Sequence, residues 1–162
     1  MKKYLIALCM GLVGMGCFAQ SKGESAVGAT VGVAPSLDSD YKITNFGLGL
    51  KYQYNISDAV RVESDLDYWA SDKSVGLVDF TGNVQYLFKV HEDIIIYPTV
   101  GIGYAHVNGF QGDLSSNRFV FNVGVGGEYR CSDKISAFLE IKFQYVKDLN
   151  RLPINIGFTY HL

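Results

Sequence analysis

Asn155-Ile156-Gly157-Phe158-Thr159-Tyr160-His161-Leu162 is the stretch that decides the fold. Ile156, Phe158, Tyr160 and Leu162 alternate with Asn155, Gly157, Thr159 and His161. Successive strand side chains point to opposite faces, so one face is wholly apolar and the other polar or small. Water gives little reason to end on an apolar ladder. A barrel closing in lipid, by contrast, must pair its last strand with its first.

The same alternation runs back through the chain. It marks segments at Ala26–Val33, Ile43–Tyr54, Val60–Ala70, Leu77–Lys89, Ile96–Ala105, Arg118–Tyr129 and Ala137–Tyr145. Short polar turns such as Asn55-Ile56-Ser57-Asp58, His91-Glu92-Asp93 and Cys131-Ser132-Asp133-Lys134 separate some of them. The longest break, 107–117, is rich in Gly, Asn and Ser. With the closing stretch this makes about eight strands of about ten to twelve residues, the length that crosses a bilayer when tilted. The expected fold is all-β, an eight-stranded antiparallel up-and-down transmembrane β-barrel.

Volume decides which face is outside. One face carries Leu, Val, Phe and Tyr, whereas the other mixes glycines with long charged side chains. An eight-stranded lumen holds an arginine only where residues such as Gly101, Gly103, Gly124 and Gly126 leave room. A soluble barrel with the faces exchanged would overfill its interior and coat its surface with glycine. The apolar face therefore belongs outside. Aromatic residues agree if the N-terminus is periplasmic. Tyr52, Tyr54, Tyr86, Phe88, Tyr129 and Tyr160 then collect at one rim, and Tyr68, Phe80, Tyr104, Phe119 and Tyr145 at the other. Ser64 and Gly82 interrupt the apolar face, and Trp69 points into the outer mouth.

Lys2 and Lys3 precede an apolar run and a small-residue stretch ending at Ala19, the pattern of a secretory signal over residues 1–19. Residues 20–162 then form the barrel domain. Removing the signal leaves 12 basic and 16 acidic residues, a net charge of −4 that argues against a nucleic-acid partner. Cys9 and Cys17 leave with it, so Cys131 has no thiol to pair with. Acylation at Cys17 is the alternative, but Gly14-Met15-Gly16 lacks the Leu usual before such a cysteine.

The strongest polar constellation is a set of inward charges: Lys51, Arg61, Glu63, Asp65, Asp67, Asp79, Lys89, Arg118, Glu128, Glu140 and Lys142. Burial in so narrow a tube demands mutual pairing, which makes them a salt-bridged plug. A gated ion path or proton relay is the alternative. No Cys/His set at metal spacing exists, and no cofactor is expected. His106 with Ser115 or Ser116 is the nearest approach to a nucleophile and base, while His161 reads as a satisfied lumen histidine. Cys131 lies in a turn without a redox partner.

Asn155, Gly157, Tyr160 and Leu162 resemble the C-terminal insertion signal of bacterial outer-membrane barrels. The run Tyr97-Pro98-Thr99-Val100-Gly101-Ile102-Gly103-Tyr104 and the Ala19-Gln20 junction look like those of OmpA/OmpX-like and porin-family small barrels, particularly of Bacteroidetes-type bacteria. The resemblance implies an integral outer-membrane protein without cofactor, surrounded by outer-membrane lipid and inserted by the barrel-assembly machinery. It further implies a structural role or a surface-interaction role, with a ligand met through loop 107–117. A small-solute channel is the alternative. Fold analogy adds an outer-leaflet lipid-modifying enzyme as a third reading.

Overall fold

The computed structural model describes residues 22–37, 44–70, 76–108, 116–146 and 150–162. Eight antiparallel strands form a closed barrel. They are β1 (Ser25–Pro35), β2 (Thr44–Asn55), β3 (Val60–Ala70), β4 (Gly76–Tyr86, continuing after Leu87 as Phe88–His91), β5 (Ile94–Asn108), β6 (Ser116–Arg130), β7 (Ile135–Val146) and β8 (Ile154–His161). Each strand pairs with the next, and β8 pairs with β1, with Val27 opposite Tyr160 and Val31 opposite Ile156. Closure leaves no open edge, so the ladder satisfies the backbone polar groups that lipid cannot.

Side-chain burial follows the alternation. On β3, Arg61, Glu63, Asp65, Asp67 and Trp69 are buried, while Leu66, Tyr68 and Ala70 are exposed. On β7, Glu140, Lys142 and Gln144 are buried between exposed Leu139, Ile141, Phe143 and Tyr145. The polar face is the interior and the apolar face the outer surface. Tyr104 and Phe119 meet edge-on at the end of that surface, ring centroids 6.1 Å apart.

Three of the breaks, 56–59, Glu92-Asp93 and 131–134, are short turns at one end of the barrel, here the turn end. The breaks between β1 and β2, β3 and β4, β5 and β6, and β7 and β8 share the opposite, loop end. Pairing on β5 and β6 reaches Val107 opposite Ser116, so the expected break at 107–117 is narrower than its composition suggests. Its centre lies outside the described residues.

The closing strand also extends further back than its alternation alone indicates. Pro153 has no N–H to give the ladder, which interrupts the strand. Beyond it, Arg151 bridges Gln144 of β7 and Ser36 after β1, in the register that Ile154 keeps with Ile141 and Val33. Counting inward positions back from Asn155 through Pro153 puts Arg151 on the lumen face, where it is fully buried.

Apolar side chains cluster toward both ends of the interior. Ala34, Trp69, Leu77, Ala105, Val120 and Val146 pack together at the loop end. Leu87, Ile95 and Tyr97 pack together at the turn end.

Candidate functional site

Between the two apolar layers lies a charged core in three tiers. The central tier joins Lys51 of β2, Glu63 and Asp65 of β3, and Glu140 and Lys142 of β7. Lys51 is 3.0 Å from Glu63 and 3.6 Å from Glu140. Lys142 is 2.7 Å from both Asp65 and Glu140 and 3.6 Å from Glu63. Strand register puts Lys51 opposite Asp65, while Lys142 reaches across the lumen from β7. Gly124, the partner of Lys142 in the ladder, has no Cβ to obstruct its stem. Gln53 donates to Glu63 at 2.7 Å and Asn83 to Asp65 at 2.9 Å, which helps satisfy the carboxylates.

The turn-end tier is built on Arg61. Its guanidinium donates to Glu128 at 2.7 Å and to the Gln85 carbonyl at 2.6 Å, and lies over the Tyr97 ring. His161 is beside this pair, with Nε2 2.8 Å from Ser136 Oγ and Nδ1 3.2 Å from Glu24. The loop-end tier is built on Arg151, which pairs with Asp79 and donates to Gln144. Asp67 sits in the same tier, directly opposite Asp79 and against Gly49.

Three lumen aromatics complete the packing. Trp69 faces Gly47, Tyr97 faces Gly126 and Phe138 faces Gly157, each as a direct ladder partner. A Cβ on any of these glycines would meet the ring opposite.

Nine of the eleven charges expected in the lumen are buried on its inward face: Lys51, Arg61, Glu63, Asp65, Asp67, Asp79, Glu128, Glu140 and Lys142. Lys89 is a correction. It keeps inward parity two residues beyond buried Leu87 and opposite Ile95, yet its own side chain is exposed near the hairpin end. Arg118 is half-buried, two residues beyond Val120 toward the loops, so it lies above the apolar layer rather than in the core. Arg151 takes the place expected of it. The signal that reveals Arg151 is the inward parity carried back through Pro153; Tyr97 and Phe138 stand on inward positions that bulk alone would assign to lipid.

His106 lies exposed at the end of β5, its Nδ1 2.8 Å from Asn117 Oδ1. Ser115 lies outside the described residues. Cys131 is exposed and free in its turn. Ser136 and His161 have the spacing of a nucleophile and base, and Ser136 is fully buried in the lumen. Glu63, Asp65 and Glu140 lie within 4.8 Å of one another, as metal-binding oxygens do. The ammonium groups of Lys51 and Lys142 already occupy that junction, so cationic side chains fill the role of an ion.

Of the closing-strand positions, Asn155 and Gly157 face inward against Gly32 and Phe138. Tyr160 and Leu162 are exposed outside, and the Lys134 ammonium lies 5.9 Å from the Tyr160 ring.

A closed eight-stranded barrel with an apolar exterior and a charged, packed interior defines a small membrane barrel. The chain belongs to the outer membrane protein beta-barrel domain family, whose model matches residues 5–161. No curated protein matches it in sequence. Among solved structures it is similar to Neisserial surface protein A, with a TM-score of 0.74 and 15% identity over 84% of this chain and 96% of that one. It is also similar to Ail, the attachment invasion locus protein of Yersinia pestis, with a TM-score of 0.64 and 16% identity over 87% of this chain and 99% of that one. The N-terminal barrel domain of Pseudomonas aeruginosa OprF matches at a TM-score of 0.64 and 14% identity, over 88% and 100% of the two chains. At such identities the likeness concerns the fold. A further structure of Ail holds the heparin analogue sucrose octasulfate. The chain is thus an outer-membrane β-barrel of a bacterium.

Proposed function

We propose that this barrel is a sealed scaffold which holds its loops at the cell surface, and that it conducts no solute. The observation that carries the reading is the layered interior: a charged core with Lys51 and Lys142 knotted to three carboxylates, bounded by apolar side chains toward each end. An ion entering would have to pass the apolar cluster at the loop end and displace paired charges, each step unfavourable in a medium of low dielectric. The charges therefore serve packing.

In this reading residues 1–19 are a cleaved signal, both ends of the mature chain are periplasmic, and Asn155, Gly157, Tyr160 and Leu162 are read by the barrel-assembly machinery. The short turns then face the periplasm and the longer breaks the outside. Loop 107–117 is the surface offered to a ligand, and the sulfated sugar bound by Ail supports an anionic oligosaccharide as the first probe. Catalysis has no part in it, since Ser136 is enclosed and His106 faces outward.

Reconstituted vesicles test the scaffold directly. Vesicles carrying the folded protein should swell in isosmotic sugar or amino acid no faster than protein-free vesicles. Swelling that scales with protein content would favour the channel. For orientation, a peptide tag inserted within 109–115 should be reached by antibody on intact cells, and one at 131–134 only after permeabilisation.

A further inference from the structure

At the turn end the apolar cluster of Leu87, Ile95 and Tyr97 lies along β4 and β5, and the wall across the lumen from it is polar. There the last inward residue of β8, His161, stands opposite Ala26 of β1. Ala26 is too small to cover the imidazole. The ladder between β1 and β2 runs one step further, with Asn55 N–H donating to the Glu24 carbonyl at 3.0 Å, so Glu24 takes the next inward position beyond Ala26. Its carboxylate lies over His161, 3.2 Å from Nδ1, and reaches toward the Arg130 guanidinium of β6, 3.9 Å away. The side chain thereby crosses the ends of β8 and β7. Beneath it, His161 Nε2 is 2.8 Å from Ser136 Oγ and 3.7 Å from Glu128, all three residues being buried. The backbone before Glu24 is anchored as well. Gly23 turns the chain at a φ of 89°, a conformation that favours glycine, and Lys22 N–H donates to Asp58 in the next turn at 3.0 Å.

We propose that Glu24 is an ionic lid on the turn-end mouth, which swings off Arg130 and His161 to uncover His161 and Ser136 while the barrel stays folded. The strength of its contacts decides that the lid moves and the tier below it does not. Glu24 and Arg130 are the partly exposed members of this network, and such a pair is weak and screened by salt. Arg61 and Glu128, one step further in, are buried and 2.7 Å apart, and parting them would strand a buried charge. The opening therefore stops at Glu128.

Carbethoxylation by diethyl pyrocarbonate tests the lid, mapped by mass spectrometry on the full chain folded in detergent micelles. The three histidines supply their own comparison, because His91 and His106 are exposed and His161 is covered. In the unmodified protein His161 should react far more slowly than the other two, and should gain on them as sodium chloride is added. Glu24→Ala should remove most of its protection, Arg130→Ala part of it, and Lys89→Ala, at an exposed charge of the same end, none. Trp69 lies at the opposite end and reports the fold, so its emission should stay unchanged throughout. Equal reactivity of all three histidines in the unmodified protein would overturn the lid, as would protection of His161 that survives Glu24→Ala. In the unmodified protein, a relative His161 rate that ignores salt, or that rises only with a red shift of Trp69, would overturn it too. The salt series needs no substitution, so the test stands even where Glu24→Ala does not fold.

Discussion

The guanidinium of Arg151 lies over the indole of Trp69, 4.9 Å from the ring centroid, inside the loop end of the barrel. The relationship recurs on the other two tiers. Arg61 lies 5.0 Å from the Tyr97 centroid and Lys51 4.2 Å from that of Phe138. Each ring rests on a glycine of the neighbouring strand and carries a cation on its other side. The glycine gives room, the ring fills it, and the ring face attracts the charge while the aliphatic stem packs beside it. The tiers are therefore hydrophobic and ionic at once.

Removing Arg151 should cost more than removing any exposed charge. It leaves Asp79 buried without its cation, and breaking one partner out of a buried pair costs about 3–5 kcal/mol. Urea titration of the barrel in lipid vesicles should show that loss for Arg151→Ala. Arg118→Ala, at a half-buried position above the apolar layer, should show a much smaller one. Similar losses for the two would refute the assignment of Arg151 to the core.

The contact between Gly47 and Trp69 predicts a coupled pair. The atoms that a Cβ at position 47 would meet most closely all belong to the Trp69 ring. Gly47→Ala should destabilise through that clash, by about 1–3 kcal/mol as overpacking does. In the Trp69→Leu background the same change should cost far less, a non-additivity readable in a double-mutant cycle. Trp69 is the only tryptophan of the chain, so its emission should be blue-shifted and insensitive to acrylamide in the folded barrel.

Lipid contact should appear as a depth profile along β5. Ile94 and Val100 lie on the same outward face, Ile94 at the turn end and Val100 near mid-strand. Arginine on the lipid face costs about 2–4 kcal/mol at the bilayer midplane and about 0–1 near the interface. Val100→Arg should therefore lose much more stability than Ile94→Arg in vesicles. Equal losses would mean that the outward face does not span the bilayer.

Much of this architecture is legible in the alternation of residues. The period of two identifies the strands, and the division between long charged side chains with glycines and branched apolar ones identifies inside and outside. Lys89 and Arg151 show the limit. Parity says which way a side chain points but not how far the interior extends, so Lys89 has inward parity and is still exposed, near the hairpin end. Pro153 breaks the ladder at the point where Arg151 must be counted, and the arginine reads as a turn residue. Tyr97 and Phe138 are hidden for another reason. Parity turns both inward, but room for their rings depends on which glycine stands opposite, and that is a property of strand register rather than of either segment alone.

Single-channel recording in planar bilayers reaches the central claim most directly, that the interior is a closed core and not a path. The folded, unmodified protein should give no steady conductance above that of the bare membrane. Thinning the central tier with Lys142→Ala should lower stability without producing a defined open level. Regular, sizeable current steps from the unmodified protein, altered in size or ion selectivity by Lys142→Ala, would contradict the account and make the charged tiers the lining of a pore.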